Sequence, residues 1–460
     1  MRTAALIFLV LVMIATDGVT DELVVTDVVI VDIVRRELRP ADLHLVDGRF
    51  AGIFAPGDAS VPAEVPRWSA EGRFALPSML DASTFSTTQV SPGHRDTLGP
   101  EDARMIFLSF GVHRFLDLAG GIGSLRGGPV LTSARGVGSD IPGAVELADV
   151  DAARATVRGL VDGTNPPHRL SVIFDRGRQR RGMAVPVLEA VLEEAGAVPV
   201  GVYVGTWQDV IEALEAGADW LVQVPPGPVP EPVLDLVRRT RPTWTPTVAV
   251  GRDFMALMSE AGLRDSETLG RALPVEMRTD YGEVRVPQSR LTETRLQNED
   301  RLAVLVALSR AGVVLAAGSQ SGGLGTAHGF TFARELEAWG LAGVDPWDVL
   351  AGATINGANR LGVESGIRPG ARADFSLHAT SPLDSLGALA NPDFVFVGGR
   401  REVPGSLASR AGHSLVEDVP SNPLPGGNRW SLLIIAVVGF AALLSVRRLI
   451  KRAAANALDS

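Results

Sequence analysis

Between residues 73 and 361, short apolar runs alternate with stretches whose apolar residues recur every three or four positions. The runs are "RFALPSMLDA", "VHRFLDLA", "GPVLTSA", "RLSVIFD", "VPVGVYV", "DWLVQV", "TWTPTVAV" and "GVVLAAG". Their length and mostly continuous apolar character predict strands buried on both faces. Between them, "VPVLEAVLEEAG" sets Val187, Leu188, Val191, Leu192 and Ala195 on one helical face and stops at Gly196. "WQDVIEALEAG" does the same with Val210, Ile211 and Leu214 before Gly217. Strands that are mostly followed by helices predict an α/β fold, a (β/α)8 TIM-like barrel over residues 73–361. A doubly wound open sheet is the alternative, but no Gly-rich phosphate loop follows the first strand.

The flanks differ. Residues 21–72 and 362–405 show strand alternation and tight turns, with Asp47-Gly48 the clearest, and neither is large enough to hold a core alone. They are expected to pair into one small composite β-domain. Beyond it, residues 406–429 contain the Pro/Gly/Asn-rich "VPSNPLPGGN" and read as a linker. Met1-Arg2 followed by an apolar stretch over residues 4–15 describes a signal peptide or N-terminal anchor across 1–20. "RWSLLIIAVVGFAALLSVRRLIKR" predicts a C-terminal transmembrane helix over 430–447, with Arg447, Arg448, Lys451 and Arg452 opening a cytoplasmic tail over 448–460. On that reading the membrane is a partner, and the bulk of the chain is periplasmic or extracellular.

Composition narrows the chemistry. A net charge of −10 over 460 residues argues against nucleic acid as a partner. With no cysteine, disulfides and thiolate metal sites are excluded. Lys451 is the only lysine, and arginine supplies the other 42 cations.

Several motifs resemble the amidohydrolase superfamily, in particular its imidazolonepropionase-like branch. "LVDGRFAGI" resembles the opening hairpin and "ALPSMLDAS" the end of the first barrel strand; "GVHRFLDLAG" is similar to the second strand. "HGFTFARELEAWGLAGVDPWDVLAGATINGANRLG" and "GIRPGARADFSL" resemble the long segment after strand eight and the turn that follows it. The likeness runs over residues 23–404. It implies a C–N hydrolase using zinc or another divalent metal, held by two His of strand one, one His each from strands five and six, and an Asp of strand eight. At the matching positions stand Ser83 and Phe85, Tyr203, Gln223 and Gln320. A catalytic zinc takes about three imidazole or carboxylate ligands, and hydroxyls, amides and a phenyl ring do not replace them.

The expectation is therefore a protein that needs no cofactor, with a vestigial pocket of Ser83, Phe85, Tyr203, Gln223 and Gln320. It would act as a non-catalytic binding or scaffold protein for a small neutral polar ligand or a protein partner. The alternative is a hydrolase of non-peptide C–N bonds with a rebuilt site, whose metal ligands would come from His94, His328, Asp117 and Asp175. Against that set, His328 matches a non-ligand His-Gly of the family and Asp117 a structural Arg-Asp-Leu. The arginine-rich "DRGRQRRG" at 175–182 reads as a solvated loop or an anion contact.

Overall fold

The computed structural model describes residues 22–60, 63–118, 131–132, 147, 149–164, 166–175 and 183–412. The expected signal peptide or anchor, the transmembrane helix, its tail, most of the linker and the arginines of the 175–182 run lie outside them. Among the described residues, no helix is long and apolar enough to cross a membrane. The fold class is corrected accordingly to an α/β fold without a described membrane helix. The expected membrane tether and the extracytoplasmic placement are withdrawn with it.

One sheet draws strands from both ends of the chain. Its order is Arg400–Glu402, Phe394–Val397, Phe375–His378, Phe74–Pro77, Glu22–Asp32, Glu37–Val46 and Arg49–Phe54, with Arg67–Ser69 also paired to Glu22–Asp32. Its core is aliphatic and aromatic: Val25, Val28, Ile30, Leu43, Leu45, Phe50, Phe375 and Phe396. Phe375 stacks on Phe396 with ring centroids 4.3 Å apart and meets Phe50 at 5.6 Å.

The run "RFALPSMLDA" is two strands rather than one. Phe74–Pro77 pairs with Phe375–His378 in the flanking sheet, and Met79–Thr84 starts the barrel. Pro77 brings no N–H to extend the ladder, and at Ser78 the chain leaves one sheet for the other. Parallel strands follow in two sheets, Met79–Thr84, Val112–Asp117 and Leu131–Thr132 in one, and Leu170–Ile173, Val200–Tyr203, Trp220–Val222, Thr243–Thr245 and Val314–Leu315 in the other, numbered one to eight in chain order. The first strand meets the segment after the eighth through Ala82 N–H to Ala317 O at 2.8 Å and Gln320 N–H to Ser83 O at 2.6 Å.

Helices cover the outside. Val185–Ala195 buries Val187, Leu188, Val191 and Ala195, and Gly196 ends it at φ 56°, where a side chain would be strained. Trp207–Glu215 opens with a capping box in which Thr206 and Asp209 satisfy each other's backbone N–H groups. These packed faces orient the strands, and so bring the side chains of strands one, four, five and six together.

Candidate functional site

Every residue of Met79–Thr84 is buried, although three carry polar side chains. Asp81 is fully buried. Its Oδ1 accepts N–H bonds from Ser319 at 2.9 Å and Ser83 at 3.2 Å, and its Oδ2 accepts the Ser319 hydroxyl. Burial pushes the Asp81 carboxyl up to about 7 against the pull of those bonds. Two residues on, Ser83 Oγ lies 2.9 Å from the Tyr203 hydroxyl at the end of strand five. Burial raises the Tyr203 phenol above its ordinary value, opposed by the neighbouring Arg169.

Arg169 stands at the start of strand four and is fully buried. Its guanidinium carbon lies 4.7 Å from the Trp220 ring centre. Its Nη2 donates to Ser171 Oγ at 3.3 Å, while Nε and Nη1 are buried without a partner. Desolvation holds its pKa below the ordinary arginine value. Trp220 in turn donates to Thr245 Oγ1 at 3.0 Å, which ties strand six to strand seven.

The mouth carries backbone strain. Gln223, Thr247 and Gln320, at or just beyond the ends of strands six, seven and eight, have φ of 71°, 51° and 49°. For the β-branched Thr247 such a conformation is an outlier, and outliers of this kind gather at functional sites. Surrounding bonds hold it: the buried Glu335 carboxylate accepts the next two N–H groups, from Val248 at 2.9 Å and Ala249 at 2.6 Å. Burial raises Glu335 to about 7. Gln223 is fixed through its backbone, its N–H on Thr245 O and its carbonyl on Trp244 Nε1.

Of the five pocket residues inferred from the sequence, Ser83 and Tyr203 touch directly. Gln320 reaches Ser83 through its backbone N–H, and Phe85 packs against the cluster that contains Tyr203 and Trp220. Among the described residues, no hydrogen bond joins the side chains of Gln223 and Gln320 to Tyr203 or to each other.

The alternative metal set is not drawn together. His94 is half-exposed and bonded through Nδ1 to Asp280 at 2.6 Å. His328 is buried, with its ring nitrogens on Ser321 Oγ and Thr88 O. Asp117 accepts the Ser86 N–H at 3.1 Å, and Asp175 packs against Gly205. Among the described residues, no three His, Asp or Glu form a cluster able to hold a metal ion.

Sequence reasoning missed Arg169, Asp81 and Ser319 as parts of the network. An arginine before an apolar run reads as a solvated strand start. Gly201 in "VPVGVYV" was the available sign, since glycine inside a strand marks a close approach. A Cβ there would come 3.0 Å from the Arg169 guanidinium carbon. A buried guanidinium and a titratable acid thus share the interior with Ser83 and Tyr203.

The donor set does not fit the divalent metal that the family likeness implies. The two hydroxyls at the first-strand and fifth-strand positions bond each other, and the buried acid nearest them is occupied by Ser319 and Ser83.

Comparison with known proteins bears on the same fold. Residues 268–405 match the model of the Amidohydrolase family. A protein described as a prolidase from Bifidobacterium longum superposes with a TM-score of 0.63 at 19% identity, over 85% of this chain and 99% of that one. A Xaa-Pro dipeptidase with methionine in its active site gives 0.64 at 16% identity, over 83% and 100%. Ochratoxinase of A. niger gives 0.61 at 18%, over 83% and 95%. At such identities the likeness concerns the fold. A search of curated protein sequences finds no match.

Proposed function

We propose that this chain, an α/β protein of the amidohydrolase type, binds a small ligand at the barrel mouth and does not carry out metal-dependent hydrolysis. The observation that carries this reading is the 2.9 Å bond between Ser83 and Tyr203, two side chains at inferred ligand positions. Hydroxyls that satisfy each other in a dry interior form a closed polar contact, whereas a metal site needs lone pairs converging on a cation. Strained Gln223, Thr247 and Gln320 backbones at the rim support a site that recognises something, since such strain needs a surrounding structure to maintain it. Tyr203 and the two glutamine amides would supply the hydrogen bonds.

Metal analysis of the purified protein after dialysis tests this. Zinc, manganese and iron should each be far below one per chain. The combined Ser83→His, Phe85→His, Tyr203→His, Gln223→His, Gln320→Asp variant should gain metal. A tightly held stoichiometric metal in the wild type would overturn the reading.

A second reading, hydrolysis of C–N bonds, is favoured by the family match and by relatives described as prolidase, dipeptidase and ochratoxinase. A panel of dipeptides and N-acyl amino acids, with and without added zinc, separates the two. Turnover that survives in the Ser83→Ala and Tyr203→Phe variants would place catalysis elsewhere.

A further inference from the structure

Glu335 is a fully buried acid whose bonds all come from N–H groups. Its Oε1 accepts the Val248 N–H and the Trp339 indole N–H, each at 2.9 Å, and its Oε2 accepts the Ala249 N–H at 2.6 Å. Among the described residues no cation pairs with it. The charges whose fields reach it are themselves acids: Asp253 of the helix Ala249–Ser259 and Asp81 of the first barrel strand. Asp253 is tied to Arg334 at 2.9 Å, Arg334 and Arg252 meet at Glu337, and Asp81 is held by Ser83 and Ser319. What the Glu335 carboxylate does hold is the pair of residues after Thr247, a β-branched residue at φ 51°.

A carboxylate can accept all three bonds, whereas the protonated acid turns one oxygen into a donor. Every group that meets Glu335 is itself a donor, so that oxygen gives up its bond. Strain of the Thr247 kind persists only where the surroundings over-determine it. We infer that Glu335 is a proton-operated latch on the strand-seven rim of the barrel: ionised, it keeps Thr247 strained, and protonated, it lets the Thr247–Ala249 turn relax. Desolvation brings its titration to about 7 against the pull of the three N–H bonds, so both forms are populated around neutral pH. Because the folded value lies above the ordinary 4.5, protonation favours the folded chain, and acid reshapes the rim without opening the fold. Gln223 is coupled to the same rim, with its N–H on Thr245 O and its carbonyl on Trp244 Nε1. That the rim admits a ligand rests on the binding reading above, while the latch itself does not.

Two tryptophans report the two ends of the latch. Trp339 donates to Glu335 and reads its proton, and Trp244 donates to the Gln223 carbonyl and reads the rim. The indole N–H signals of the full chain labelled with 15N-tryptophan are followed by NMR across the neutral pH range, assigned with Trp339→Phe and Trp244→Phe. Both signals should shift with one midpoint near pH 7 in the wild type and in Asp81→Asn, and neither should shift in Glu335→Gln. A Trp339 signal that does not titrate overturns the inference, and so does a Trp244 signal that stays fixed while Trp339 titrates. A Trp244 shift that disappears in Asp81→Asn also overturns it, since Asp81 would then be the acid at work. Should either variant fail to fold, wild-type crystals grown well below and well above pH 7 decide it. Thr247 should keep its positive φ in the alkaline form and leave it in the acid form; one φ in both refutes the latch. These readouts are conformational, so they stand whether or not the mouth proves to bind a ligand.

Discussion

In the flanking sheet, Phe375 lies between Phe396 and Phe50, with Val28, Ile30 and Leu43 in the same core. Inside the barrel, at similar depth, sit Asp81, Ser83, Arg169 and Tyr203. The first interior is held by apolar area, which is non-directional and tolerates small shifts. The second depends on hydrogen bonds that must be made at the right distance, because an unpaired buried group keeps its desolvation cost. What differs is therefore the kind of damage each interior can absorb. The sheet should lose stability in proportion to the volume removed, and the barrel in proportion to the partners left unpaired.

The largest effect is expected from the sheet. Phe375→Ala removes a fully buried ring with two aromatic neighbours and should cost about 3–5 kcal/mol. Urea denaturation measures it. A loss under ~1 kcal/mol would mean that the sheet unfolds separately from whatever the probe reports, and the comparison would fail.

Next comes the pH dependence of the barrel interior. The Asp81 carboxyl lies near 7 in the folded protein and near 3.8 when exposed. The folded state thus favours the protonated acid. That contribution is fully present below about pH 4 and is lost as pH rises towards 7, with a slope of at most ~1.4 kcal/mol per unit. Glu335 follows the same sign from 4.5 to about 7. Asp81→Asn should therefore flatten part of the decline between pH 4 and 7 and leave the Glu335 part. Denaturation midpoints across that range check it; an unchanged slope would mean that Asp81 stays ionised in the fold.

Smallest is the Ser83–Tyr203 contact. Ser83→Ala and Tyr203→Phe should each cost about 1–3 kcal/mol, since each leaves the other hydroxyl unpaired. The double variant should cost clearly less than the sum, because no orphan remains. Strict additivity would show that the two hydroxyls do not depend on each other, and the barrel would then resemble the sheet.

How much could be read in advance follows from the range of the forces. The Val187, Leu188, Val191 and Ala195 face is periodic within one helix, so local spacing was enough to find it. The pairing of residues 366–404 with the N-terminal strands was suggested by alternation in both flanks. Their shared sheet order, and the crossing from one sheet to the other at Ser78, depend on which strands lie side by side. The membrane reading rested on an apolar stretch outside the described residues, and no described helix carries it.

The sequence by itself determined the α/β alternation, the apolar composition of both cores, and the absence of His and Asp at Ser83, Phe85, Tyr203, Gln223 and Gln320. These are properties of residue type and short-range period. Only the tertiary structure decided that Ser83 meets Tyr203 across 120 residues, that Ser319 closes on Asp81 across 238, and that Arg169 is buried against Trp220 with two N–H groups unpaired. Hydrogen bonds between strands distant in sequence depend on register and closure to within an ångström, and no local pattern of polarity encodes that distance.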